Sequence, residues 1–251
     1  MKFSVLTLFP EMYGTFCGTS IVKHAIERGI AEIECINIRD FSNNKFRHID
    51  DTPYGGGAGM LMQVEPIDKA IASVRQENSY VVLMSPKAKP YKQADARRLM
   101  NKEHIVIICG HYEGLDYRTE ELIDEKISIG DYVLSGGEVA SMVVMDSIIR
   151  LQKGVIRDES LDEESFDNAL LEYPQFTKPA EYKGRRVPEI LLGGNHAKIR
   201  LWRKKMAFYE TLKYRKDLLA GRQFSEEEIR LLKQLKKELE EGKDPLYTYE
   251  V

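Results

Sequence analysis

The sequence predicts an α/β layer fold with a smaller helical module at its C-terminal end. Short β-rich runs alternate with amphipathic stretches through the first 155 residues, the pattern of strands joined by crossover helices. From residue 195 onward apolar residues recur at helical spacing instead. A chain of 251 residues, 43% apolar and 31% charged, fills one large domain or two modest ones and is too apolar to stay disordered.

Taken in order, strands are expected at Val5–Phe9, Ile33–Ile38, Tyr80–Met84, His104–Cys109 and Lys126–Ile129. Several are apolar without alternation, as strands covered on both faces of a parallel sheet are. Between them, Ser20–Arg28 sets Ile21, Val22, Ala25 and Ile26 on one helical face and stops at Gly29, a residue suited to the left-handed position after a helix. Pro66–Glu77 opens with a proline, favoured in a first turn. Gly137–Lys153 forms a long helix ending at Gly154. An acidic, apolar-poor linker follows, so the expected division is residues 1–156, 157–168 and 169–251. In the last part Asn195–Lys216 aligns Ile199, Trp202, Met206, Tyr209 and Leu212, which makes Trp202 a core residue rather than a stacking platform. Ser225-Glu226-Glu227-Glu228 is a capping box opening a helix that Gly242 closes.

The net charge of −3 announces no global polycation, but residues 178–222 hold 13 Lys/Arg against 4 Asp/Glu while residues 1–177 hold 19 against 28. Such a block suits a polyanionic partner. Cys17, Cys35 and Cys109 are too few and too scattered for a disulfide framework or a zinc site and suit a reducing compartment. The N-terminus meets Pro10 too early for a secretory segment, and no apolar run nears the ~18 residues of a membrane span. A soluble cytoplasmic protein without membrane contact is expected.

Four loops could carry chemistry. Asp50–Met60 contains Gly55, Gly56, Gly57 and Gly59, which would let backbone N–H groups approach an anion. No Lys-Ser/Thr follows, so it is not a Walker A loop; by composition it is equally a plain surface loop. Ser85-Pro86, Cys109–Arg118 and Ser128–Glu138 follow strand-like runs, the position at which open α/β sheets bind ligands. The last two mix glycines with carboxylates and aromatic rings, a palette suited to a nucleoside. His111 alone reads as an ordinary hydrogen-bonded side chain, with no second histidine at metal spacing. Gly-x-Gly-x-x-Gly after the first strand and Gly-x-Ser-x-Gly are both absent, which argues against dinucleotide and α/β-hydrolase sites.

Asp-Asp-x-Pro-Tyr-Gly-Gly-Gly-x-Gly-Met from Asp50, Cys-Gly-x-Tyr-Glu-Gly-x-Asp-x-Arg from Cys109 and Ser-Ile-Gly-Asp-Tyr-Val-Leu-Ser-Gly-Gly-Glu from Ser128 together resemble the TrmD family of bacterial tRNA (guanine-N1)-methyltransferases, of the SPOUT superfamily. The resemblance runs from Phe9-Pro10-Glu11-Met12 to Gly194-Asn195-His196 and Trp202-Arg203. It implies a trefoil-knotted parallel-sheet domain followed by a small helical domain. It also implies S-adenosylmethionine as methyl donor and transfer to N1 of the guanosine immediately 3′ of the anticodon, position 37. The implied partner is tRNA, not DNA. The family acts as a homodimer whose sites are completed by the partner chain, with a reported dependence on Mg2+.

Carried over by that resemblance, the donor pocket comprises Leu83, Ser85, Pro86, Gly110, Tyr112, Glu113, Gly114, Ile129, Gly130, Asp131, Tyr132, Val133, Leu134, Gly136 and Gly137. Two departures touch it: Lys87-Ala88 where the family often has Gln-Gly, and Ala140 where it commonly has proline. The family's helix arginine falls at Arg150, and its basic aspartate before Ser-Phe falls at Glu164, beside Asp162 and Glu163. Asp50, Tyr54, Gly55, Gly56, Gly57 and Gly59 would meet nucleotides around the target base. Asn195, His196, Arg200, Arg203, Lys204 and Lys205 would meet the rest of the tRNA. Two other readings stand beside this one: a nucleotide-utilising enzyme with Gly55–Gly59 as phosphate cradle, and a non-catalytic RNA-binding protein of the same fold.

Overall fold

A computed structural model of the chain describes residues 1–156, 165–166 and 169–248. The chain divides into two compact units, residues 1–158 and 159–251. The first holds a sheet of β1 (Lys2–Thr7), β2 (Glu32–Asn37), β5 (Ser79–Met84), β6 (His104–Cys109) and β7 (Glu125–Ile127), in the order β2-β1-β6-β5-β7. Every pairing is parallel. β6 lies at the centre, and all six of its residues are buried. That is why Ile105–Cys109 reads as an unbroken apolar run. Leu6, Val81, Val106 and Ile108 of the sheet pack with Ile67 and Ile71 in the main core.

Helices α1 (Tyr13–Cys17), α2 (Ser20–Glu27), α3 (Val64–Val74), α4 (Gln93–Leu99) and α5 (Glu138–Ile149) complete this unit, with a two-strand antiparallel pair, β3 (Asp50–Asp51) and β4 (Leu61–Met62). Gly29 stands at φ +68° after α2 and its N–H bonds Ile26 O at 2.9 Å, the left-handed stop its position suggested. Several boundaries differ from expectation. β1 begins earlier, at Lys2, whose N–H bonds Glu103 O at 2.8 Å, and ends earlier because the Thr7 hydroxyl accepts the Phe9 N–H at 3.0 Å and turns the chain into Pro10. β7 stops at Ile127 because the Ser128 hydroxyl bonds the backbone of Gly130. α5 ends at Ile149 rather than Lys153, since Leu151 and Gln152 tighten to bonds on carbonyls three residues back. Pro66 is the third residue of α3, not its first, still within the turn whose N–H groups have no helical acceptor.

The second unit contains the hairpin β8 (Glu181–Tyr182) and β9 (Arg185–Arg186), and helices α6 (Glu189–Leu192), α7 (His196–Tyr214) and α8 (Glu226–Glu240). Trp202, Met206, Phe208, Leu231 and Leu235 are buried, so Trp202 is a core residue. Asn195 caps α7 by accepting the Lys198 N–H at 3.1 Å. The capping box at Ser225 forms: its hydroxyl accepts from Glu228 N at 3.3 Å and Glu228 returns a carboxylate oxygen to Ser225 N at 2.9 Å. Among the described residues no helix is long and apolar enough to cross a membrane.

Candidate active site

The C-terminal ends of β6, β5 and β7 lie side by side, and the loops leaving them wall a cavity of about 540 Å³. That volume falls in the range of small-molecule pockets, roughly 300–1,000 Å³. Leu83, Ser85 and Pro86 line it after β5, and Gly110, Tyr112, Glu113 and Gly114 after β6. After β7 come Ile129, Gly130, Tyr132, Val133, Leu134, Gly136 and Gly137. Asp131 is the one residue of the expected donor set that does not line the cavity; it is exposed between two residues that do. Of the two departures, Lys87 of Lys87-Ala88 and Ala140 face the cavity and Ala88 does not; Leu61, His111, Glu120 and Lys126 line it as well.

The glycines here are sites of close approach. A Cβ on Gly137 would stand 2.7 Å from Cys109 Cα, because its N–H bonds Gly110 O at 3.0 Å and draws the two loops together. A Cβ on Gly136 would meet the His111 ring at 2.2 Å. Behind this wall Glu138, the first residue of α5 and 2% exposed, accepts from the Thr7 hydroxyl at 2.6 Å and lies 2.7 Å from His111 Nε2. Deeper still, the Tyr13 hydroxyl joins Ser141 Oγ at 2.7 Å and Cys109 Sγ at 3.4 Å. Burial pushes the Cys109 thiol up to about 12 and the Tyr13 phenol upward as well, so both are neutral hydrogen-bonding groups, not nucleophiles. Sequence reasoning passed over Glu138, whose partner Thr7 lies 131 residues away; His111 was judged rightly to be hydrogen-bonded.

Gly55, Gly56, Gly57 and Gly59 all have positive φ, between +79° and +133°, and a Cβ on Gly59 would collide with Glu113 at 2.4 Å. The end of this loop joins the Gly110–Gly114 loop directly: Glu113 N–H bonds Met60 O at 3.1 Å and Met62 N–H bonds Gly114 O at 2.9 Å. Tyr54 at its tip is fully exposed, and Asp50 lies in β3. Arg150 does not reach the cavity. It caps the far end of α5, about 18 Å along the axis from Glu138 at 1.5 Å per residue. Glu164, with Asp162 and Glu163, lies outside the described residues.

In the second unit the basic residues divide. Lys205 cannot be an RNA contact in this fold: it is 1% exposed, and its ammonium bonds both carboxylate oxygens of Glu238 (2.9 and 3.1 Å) and Thr248 O (2.8 Å). Lys204 and Arg200 both bind Glu227, at 3.0 and 3.3 Å, and these bonds hold the Glu227 carboxyl below its usual range. Arg203 stacks on Tyr173 with 4.9 Å to the ring centroid. The acidic first turn of α8 therefore meets part of the basic helix that the sequence shows as one-sided. Asn195 and His196 are exposed at the start of α7, and Lys178, Lys183, Arg185, Lys198, Lys213 and Lys216 are exposed too.

Fold and cavity together define a parallel-sheet α/β protein with a ligand-sized cavity between glycine loops at adjacent strand ends. A family profile described as tRNA (Guanine-1)-methyltransferase TrmD matches residues 1–221. A tRNA (guanine-N(1)-)-methyltransferase of Carboxydothermus hydrogenoformans is 53% identical over 234 residues, 92% of each chain. The protein of that name from Dictyoglomus turgidum is 47% identical over 242 residues, covering 96% of this chain and 99% of its own. That from Metamycoplasma arthritidis is 50% identical over 223 residues, covering 88% and 97%. The chain belongs to the TrmD family of tRNA (guanine-1)-methyltransferases.

Proposed function

We propose that this enzyme transfers the methyl group of S-adenosylmethionine to N1 of the guanosine immediately 3′ of the anticodon, position 37, in tRNA. The observation that carries the reading is the cavity between the β5, β6 and β7 loops, whose walls come together only because Gly136 and Gly137 lack side chains. Its closely approaching loop backbone suits the edges of adenine, Leu83 and Ile129 its faces, and its carboxylates ribose hydroxyls. The donor would supply an electrophilic methyl carbon. Family membership favours this reading over a phosphate-cradle enzyme or a non-catalytic RNA binder.

Guanine N1 becomes a competent nucleophile as its proton leaves. Glu164 takes that proton as general base and Arg150 offsets the charge developing on O6. Since Arg150 stands at the end of α5 remote from its own cavity, its place in the reaction is at the cavity of a second copy. The homodimer has further support in Val133, Leu134, Val139 and Val143, apolar side chains 41–86% exposed on the last cavity loop and on α5, a combination that marks a contact surface. The trefoil knot is supported by α5 returning from the edge strand to bond the end of β1 through Glu138 and Thr7. Tyr54 and the Gly55–Gly59 loop would meet the anticodon stem-loop, and the exposed cations of the second unit its phosphates. The unpaired thiols Cys17, Cys35 and Cys109 suit a cytoplasmic home. For Mg2+, no group of three or more His, Cys, Asp or Glu side chains stands ready among the described residues, and no step is assigned to it.

The test is methyl transfer from labelled S-adenosylmethionine to an unmodified tRNA transcript. Label should enter the transcript with guanosine 3′ of the anticodon and not one carrying adenosine there. Equal labelling of both would overturn the assigned target.

A further inference from the structure

We propose that His111 and Glu138 form a latch that holds the Gly110–Gly114 loop in the shape that receives the methyl donor, which makes them positioning residues for the reaction. The inference rests on the reading of this cavity as the donor site. A carboxylate only accepts, so Glu138 takes a hydrogen bond from the Thr7 hydroxyl on one oxygen (2.6 Å) and from His111 Nε2–H on the other (2.7 Å). Three separate pieces of chain are thereby tied to one buried group: the end of β1, the loop after β6 and the start of α5.

Burying a carboxylate is costly even with two donors and a helix N-terminus to hold its charge. An apolar trio would stabilise the fold as well or better, so bulk stability does not account for the arrangement. What the pair does instead is fix geometry. The loop it grips contains Tyr112 at φ +59°, a left-handed conformation that non-glycine residues adopt only when their surroundings impose it. The loop's later half is already held by backbone bonds, Glu113 to Met60, Met62 to Gly114 and Asp116 to Met62. Its first half has the Gly137–Gly110 bond, the His111 N–H on Met62 Sδ at 3.3 Å and the Gly114 N–H on His111 O at 3.2 Å, which hold backbone alone, and the His111 side chain, which ties the loop to α5. The His111 ring packs edge-on against Phe9, with centroids 5.0 Å apart, and is only 16% exposed, on the cavity side. Gly136 completes the device, since any side chain there would strike the ring.

The experiment is calorimetric titration of the full-length protein with S-adenosylhomocysteine, together with methyl-transfer rates at limiting and saturating donor. His111→Ala should weaken binding on the order of 10–100-fold, the weight of a hydrogen bond to a charged group. Most of this loss should appear in KM for the donor and little in the rate at saturation. His111→Gln, whose amide N–H can reach the same oxygen, should recover most of the affinity. Thr7→Val, which strips one donor from Glu138 and leaves the ring in place, should weaken binding in a protein that still melts cooperatively. Unchanged affinity in folded His111→Ala or Thr7→Val overturns the latch, as does a loss in His111→Gln as large as in His111→Ala. A wild-type protein that fails to bind S-adenosylhomocysteine would instead sink the donor-site reading, and the latch with it.

Discussion

Glu164 and Arg150 are assigned roles that matter only as the methyl group arrives, so their removal should spare binding and slow chemistry. Loss of a general base typically costs on the order of 10²–10⁴ in rate. Glu164→Gln should fall in that range in single-turnover methyl transfer, with tRNA affinity little changed. Glu164→Asp should keep appreciable activity because it restores the residue usual in the family. Near-normal transfer by Glu164→Gln, with failure of Glu163→Gln or Asp162→Asn, would move the base to a neighbouring position. Single residues were unevenly legible in the sequence. Gly110 and Gly137 announced themselves in motifs. Gly136, however, reads as room for a ligand, and in the structure the room is taken by the His111 ring. Glu138 stood in the same motif without any local sign of its partner, because hydrogen bonds across 131 residues leave no spacing to read.

Among elements, the buried strands were legible because Ile105–Cys109 of β6 and Val81–Met84 of β5 are unbroken apolar runs, and the capping box at Ser225 because its three-residue spacing is itself the geometry. α4 was not, as only Ala96 and Leu99 of its seven residues are buried and leave too faint a stripe. The charge of α7 is legible as a sum, but the sequence does not show which of its cations are already paired or, at Lys205, buried. Lys205 is buried against Glu238, 33 residues further on, while Lys204 and Arg200 share Glu227 at the surface. Two sets of variants separate these roles. Lys198→Glu with Lys213→Glu, both exposed, should weaken tRNA binding and flatten the plot of log K against log salt. Lys205→Met leaves Glu238 buried without its cation, and breaking such a pair typically costs about 3–5 kcal/mol. It should lower the unfolding free energy of the second unit and leave the salt slope intact. A flattened slope in Lys205→Met, or an unaltered one in the double reversal, would contradict this division.

At the scale of the molecule, the proposed reaction centre draws on two copies of the chain. The cavity lies at one end of α5 and Arg150 at the other, a separation that the expected length of the helix already implies at about 1.5 Å per residue. Sedimentation equilibrium should find a dimer. Val143→Glu, placing a charge in the exposed apolar patch of α5, should shift it toward monomer and abolish methyl transfer while each monomer stays folded. An active monomer would contradict completion of the site by a second copy. The central claim, methylation at guanine N1 beside the anticodon, meets its most direct test in mass spectrometry of tRNA after incubation with the enzyme and S-adenosylmethionine. Nuclease fragments should carry a single added methyl group at position 37, and the released nucleoside should co-elute with 1-methylguanosine. A methyl group on another atom of guanine, on a ribose hydroxyl or at another position would contradict the account.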